Sequence, residues 1–146
     1  MIRIGDKNMI AHSEWKHGRV FDGISQSGHT VQFDATPAHT EGPSPMEAVL
    51  MGLCGCTSSD VVSILEKKRQ PLAGLRVTAT AEQAIGPPQV FTKIKLTYAV
   101  RGPVSRKAVE DAVGLSMEKY CSVSKMLGKT AVIEYEIAYL DEEPEL

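Results

Sequence analysis

The chain is short of aromatics, of net charge and of paired cysteines, and each shortage removes a class of function. Aromatic residues are 5% of the 146 positions, with one tryptophan. A net charge of -2 gives no general attraction to nucleic acid or anionic lipid. The basic cluster Lys67-Lys68-Arg69 has no aromatic residues between its charges and reads as a helix end, where cations complement the dipole. Three cysteines, an odd number, argue against a structural disulfide framework. Met1 to Asn8 lacks the continuous apolar stretch of a secretory signal. The longest apolar run is broken by Gly52, Gly55, Thr57, Ser58 and Asp60 and does not read as membrane-spanning. The expectation is a cytoplasmic protein with thiols reduced by default, in which any disulfide is transient and chemical. No metal or cofactor is expected. Cys54-Gly55-Cys56 has no second cysteine pair, and His12, His17, His29 and His39 show no ligand spacing. A phosphate loop, a dinucleotide fingerprint and a Ser-His-Asp order are all missing.

What is present is an ordinary globular composition, 42% apolar and 23% charged, on a chain long enough for one domain with a real core. The first third predicts a β meander: Met9 to Trp15, Arg19 to Ile24 and Thr30 to Asp34, separated by turn residues at His17-Gly18 and Ser25 to Gly28. Ala35 to Pro43 reads as a loop. Ser44-Pro45-Met46-Glu47 then opens a helix with an N-cap serine, a proline at the first helical position and a capping-box glutamate. The helix should run to about Arg69, stopped by Gln70-Pro71, and its ~25 residues span nearly 40 Å. Its first turns are apolar around most of the circumference, so a central position partly covered by a partner subunit is expected. Two strands follow, from Leu75 to Glu82 and from Val90 to Val100, alternating in hydrophobicity and linked through Gly86-Pro87-Pro88. Ser105 caps a second helix to about Tyr120, with Ala108, Val109, Ala112, Val113, Leu115 and Met117 inside. A short helix from Val123 to Leu127 closes at Gly128, a last strand covers Ala131 to Leu140, and Asp141 to Leu146 is an acidic tail.

Two cysteines stand out. Cys56 shares a helical stripe with Gly52, Ser59, Asp60 and Ser63, more polar than the rest of that helix. Gly52 and Gly55 weaken the helix, which is consistent with close approach of another group. Asp60, one turn away, disfavours a thiolate there, so packing and reactivity both stay open for Cys56. Cys121 precedes a one-turn helix whose free N–H groups, Ser122 to Ser124, can meet its sulfur, with Lys119 and Lys125 nearby. Packing at a helix end is an equal alternative. Cys54 lies about 200° round the helix from Cys56, cannot bridge to it, and reads as packing. Glu47 already has a job as a capping carboxylate. It lies about 180° round and ~13 Å along the axis from Cys56, so a site containing both must draw on two subunits.

Ser44-Pro45-Met46-Glu47-Ala48-Val49-Leu50, Gly55-Cys56, Asp60-Val61-Val62-Ser63-Ile64-Leu65 and Lys119-Tyr120-Cys121-Ser122-Val123 together resemble the OsmC/Ohr superfamily, nearest its YhfA-like branch. The resemblance runs in order from about Met9 to Leu140. It implies an α+β fold, one OsmC-like domain over residues 1–146, and an intertwined homodimer with antiparallel sheets wrapped around long central helices. It also implies a cysteine-based thiol peroxidase that reduces organic hydroperoxides in oxidative-stress defence, recharged by a dithiol reductant such as a lipoyl protein or a small thiol. By motif, Cys56 would be the peroxidatic cysteine, Cys121 the resolving cysteine and Glu47 the active-site carboxylate. The pattern departs in one place. Characterised peroxidases of the superfamily place an arginine from the N-terminal strands on the thiolate, whereas Ser25 to Ala35 contains none and Arg19 fits only loosely. A ligand-binding or redox-sensing protein with little turnover is therefore the alternative.

Overall fold

In the computed structural model the described residues are 8–140, and they divide after Val49 into two compact units. The expected acidic tail lies outside the described residues.

The first unit is the expected meander. Strands β1 (Ala11–His17), β2 (Val20–Ser25) and β3 (Thr30–Asp34) form an antiparallel sheet in chain order. Gly28, at φ +87°, supplies the left-handed turn residue between β2 and β3. β1 is exposed along its whole length, Trp15 included.

The loop after β3 is organised by a carboxylate. Asp34, 1% exposed, accepts from the Thr36 hydroxyl (2.6 Å), the Thr36 N–H (2.9 Å) and the Glu41 N–H (3.1 Å). Those hydrogen bonds, the Thr36 hydroxyl first, hold its carboxyl well down, at about 2. A depressed acid contributes its stability fully above its ordinary value and loses it as pH falls through the folded one. Ordering of residues 35–41 should therefore weaken between about pH 3.8 and about pH 2. Amide exchange across the loop, followed against pH, checks this, and Asp34→Asn should flatten the dependence.

Helix α1 (Pro45–Lys67) starts in this unit and carries the second. Its C-terminus is closed by the Gln70 N–H on the Leu65 carbonyl (2.9 Å), with Arg69 at φ +55° before Pro71. The glycines and polar residues of the middle do not interrupt it. By length and composition alone α1 is apolar enough to cross a bilayer. One of its faces nevertheless packs inside protein: Leu53, Thr57, Val61 and Leu65, each four residues apart, are all fully buried. Each of those leucines and the valine gains about 1.5–3 kcal/mol from leaving water.

The second sheet comprises β4 (Gly74–Gln83), β5 (Phe91–Arg101) and β6 (Val132–Tyr139), with β5 central. Ile94, Leu96, Tyr98 and Val100 form the buried face of β5, as the alternation predicts. The expectation of antiparallel sheets needs correcting here. β4 and β5 are antiparallel, but β6 runs parallel to β5. The physical reason is the connection, since a helical crossover returns the chain to the end at which it started. That crossover is α2 (Arg106–Leu115), a π-turn (Ser116–Tyr120) and α3 (Ser122–Leu127).

Ser105 caps α2 as expected, accepting from the Ala108 N–H. Leu115, expected inside, is exposed at 37%, and Ser116 is fully buried instead. Position outweighs hydrophobicity here, because Ser116 follows Val109 and Val113 along the stripe at helical spacing. Gly128 ends α3 with φ -64°, so glycine is not used there for left-handed freedom. A Cβ at Gly128 would instead press on the Ser124 carbonyl at 3.0 Å.

Candidate functional site

The capping box at the start of α1 forms as read. Ser44 N–H donates to Glu47 Oε1 (2.8 Å), and Glu47 N–H donates to Ser44 Oγ (3.0 Å). Glu47 is exposed, with its carboxylate held by this reciprocal pair. Ser44→Ala should cost about 1 kcal/mol through loss of the N-cap, measurable by chemical denaturation, with Ser44→Asp close to wild type.

Further along α1, Cys54, Cys56 and Thr57 diverge around the helix. Cys54 faces β4, where burial pushes its thiol up despite a hydrogen bond with the Ala79 backbone. It is a packing residue of the core margin. Cys56 is half-buried and reachable. Beside it lies Cys121, which is 0% exposed. The two thiols are neighbours, and Cys56 is felt in the ionisation of Cys121. Residues 65 positions apart in sequence are thus brought together by packing of α1 against the β5–β6 crossover.

Cys121 owes its place to the π-turn. Its N–H donates to the Ser116 carbonyl five residues back (2.8 Å), one residue wider than an α-turn. The chain then turns extended at Cys121, which becomes the N-cap of α3, its sulfur accepting from the Ser124 N–H at 3.4 Å. Of the backbone donors expected around this sulfur, Ser122 to Ser124, the Ser124 N–H is the one seen to reach it. That donor does not decide the sulfur's charge. Burial pushes the thiol up, outweighing the Ser124 hydrogen bonds, and Cys56 raises it further. Lys119 sits over the Tyr120 ring at 5.3 Å. Chemically this is an accessible sulfur facing a sealed, neutral thiol.

A second set of groups was not legible in the sequence. Thr57 Oγ1 meets Tyr98 Oη at 2.7 Å and Ser116 Oγ at 2.8 Å, and Ser116 Oγ donates to Asp60 Oδ2 at 2.9 Å. Asp60, expected to disfavour a thiolate on Cys56, is turned toward Ser116. The tyrosine, threonine and serine are fully buried, and burial pushes Tyr98 up to about 12. A threonine and an aspartate three apart on a helix carry no signal by themselves. Only the fold supplies their partners.

Among the described residues no group of histidine, cysteine or carboxylate side chains has the geometry to hold a metal. A Cβ at Gly52 or Gly55 would meet nothing within 4 Å, so the approach inferred from these glycines is not made by the described residues of this chain.

The chain is similar to known proteins in sequence and in fold. The family model described as OsmC-like protein matches residues 38–136. Protein YhfA of Escherichia coli (strain K12) is 44% identical over 128 residues, which is 87% of this chain and 95% of that protein. The crystal structure of a hypothetical protein from Aquifex aeolicus VF5 has TM-score 0.84 and 28% identity, covering 94% of this chain and 99% of the other. A crystal structure of an organic hydroperoxide resistance protein OsmC from Legionella pneumophila has TM-score 0.70 and 16% identity over 92% of this chain and 99% of that one, a likeness of fold.

Proposed function

The chain belongs to the OsmC-like protein family, and from that premise we propose that it is a thiol peroxidase reducing organic hydroperoxides through Cys56 and Cys121. The observation that carries the reading is the pairing of a reachable sulfur with a sealed one. Cys56 is the peroxidatic residue: its thiolate attacks the distal oxygen of ROOH, the O–O bond breaks, and with one proton the products are Cys56–SOH and ROH. Cys121 is the resolving residue. Its S–H displaces hydroxide from the Cys56 sulfenic acid, giving a disulfide and water. A dithiol reductant, such as a lipoyl protein or small dithiol, then takes up the oxidising equivalents and restores both thiols. The assignment of roles follows access, because an external hydroperoxide meets Cys56 and not the enclosed Cys121.

The assembly in this reading is one OsmC-like domain per chain and an intertwined cytoplasmic homodimer. Met51 on α1 is 60% exposed, β1 is uncovered, and Gly52 and Gly55 leave room for another backbone. Glu47, the third site residue, then comes from the partner subunit. The exposed apolar surface of α1 favours a hydrophobic R group.

The test is steady-state turnover of purified protein with cumene-type, fatty-acid and hydrogen peroxides, each with dithiol and monothiol reductants. Sustained turnover with a dithiol supports the proposal, and a single slow oxidation with none overturns it. That second outcome favours a ligand-binding or redox-sensing protein on the same scaffold. One observation already points that way: no arginine lies between Ser25 and Ala35 to hold a Cys56 thiolate.

A further inference from the structure

We propose that the buried chain Tyr98–Thr57–Ser116–Asp60 is a positioning device for the two cysteines, fixing the π-turn to α1 so that the Cys121 sulfur stands ready for a sulfenic acid on Cys56. The inference rests on the peroxidase reading for its purpose, although not for its geometry.

The hydrogen bonds have only one possible sense. A carboxylate oxygen can only accept, so the single Ser116 hydroxyl proton is committed to Asp60. Thr57 must then donate to Ser116, which leaves Tyr98 to donate to Thr57. Every proton in the series has one destination and no hydroxyl competes with another. Such a network permits a single arrangement of the elements it joins, whereas apolar side chains of the same volume tolerate sliding.

Those elements are the ones that carry the sulfurs. Thr57 follows Cys56 directly, and Asp60 lies one turn on from it. Ser116 uses its side chain to hold α1 and its carbonyl to hold the Cys121 N–H at 2.8 Å. A movement of Ser116 therefore moves Cys121 through one backbone hydrogen bond. Tyr98 ties the same point to β5, the central strand of the sheet. The precision has a chemical use. Disulfide closure requires a sulfur–sulfur bond near 2.05 Å and Cβ atoms about 3.8 Å apart, and an S–S bond forms only as the S–O bond of the sulfenic acid breaks in line with the incoming thiol. The thiol proton leaves with the departing hydroxide as water.

The experiment follows two rates separately after a pulse of cumene hydroperoxide: loss of the Cys56 thiol, and appearance of the Cys56–Cys121 disulfide. Ser116→Ala should leave the first rate within about twofold. It should slow the second by about tenfold or more, on the scale of what small misplacements of reacting groups cost. Sulfenic acid then accumulates and is captured by a cyclic diketone. Asp60→Asn keeps an oxygen acceptor for Ser116 and should close at nearly the wild-type rate, while Asp60→Ala should match Ser116→Ala. Unchanged closure in both alanine variants overturns the proposal. So does an Asp60→Asn as slow as Asp60→Ala, which would make charge the cause. If the wild type reacts with no hydroperoxide, the peroxidase reading fails and the positioning claim is still decided. The equilibrium constant for forming the disulfide against dithiothreitol, after oxidation with diamide, should fall by about tenfold in Ser116→Ala, and no change there overturns it.

Discussion

Cys56→Ser is expected to abolish hydroperoxide turnover, a loss of about a thousandfold or more on the scale of nucleophile deletions. Serine fits the space of the thiol, so α1 and the core stripe of Leu53, Thr57, Val61 and Leu65 should fold unchanged. The hydroxyl does not ionise near neutrality and does not form the S–O species on which the second step depends. Measurement is of dithiol-dependent loss of organic hydroperoxide, alongside far-ultraviolet circular dichroism to confirm the fold. Wild-type activity in this variant would remove Cys56 from the mechanism. It would leave Cys121 as the only alternative thiol at this position in the fold, and that sulfur is enclosed.

Cys121→Ser should separate the two half-reactions. Serine is among the best N-cap residues, and its oxygen can take over acceptance of the Ser124 N–H, so α3 keeps its start. The first oxidation of Cys56 should proceed, but no intramolecular partner then remains for the sulfenic acid. Dithiol-driven turnover should drop by about tenfold or more as resolution becomes bimolecular. Mass spectrometry should find a trapped sulfenic acid in place of the wild-type disulfide. Equal turnover in this variant would assign resolution to the external reductant and return Cys121 to a packing role. The neutral state of Cys121 also gives the step a direction with pH. Its thiol is held above the ordinary range, so closure must shed the Cys121 proton and should quicken as pH rises from neutrality.

Much of this architecture could be read from residue order. Ser44, Pro45 and Glu47 announce α1 because a capping box is local chemistry, complete within four residues. The alternation along β5 reports its buried face for the same reason, since side-chain direction has a period of two. The N-cap position of Cys121 was also foreseeable, because the short helix after it exposes its own N–H groups. Properties set by distant packing were not. The parallel pairing of β5 with β6 depends on where a crossover deposits the chain. The burial of Ser116 follows the stripe spacing, but the α1 partners that satisfy its hydroxyl, Thr57 and Asp60, are set by packing. Asp34 looked like the polar end of a strand, yet it organises the loop that follows through partners two and seven residues away. The pairing of Cys56 with Cys121 was reached by likeness to relatives, since spacing along a chain does not reveal contact across a core.

The enclosure of Cys121 also bears on how such a molecule would wear out. Once oxidant outpaces repair, only a sulfur that solvent can reach gains a second and third oxygen. Within the pair, terminal damage should thus fall on Cys56, leaving its inner companion chemically intact in the spent protein.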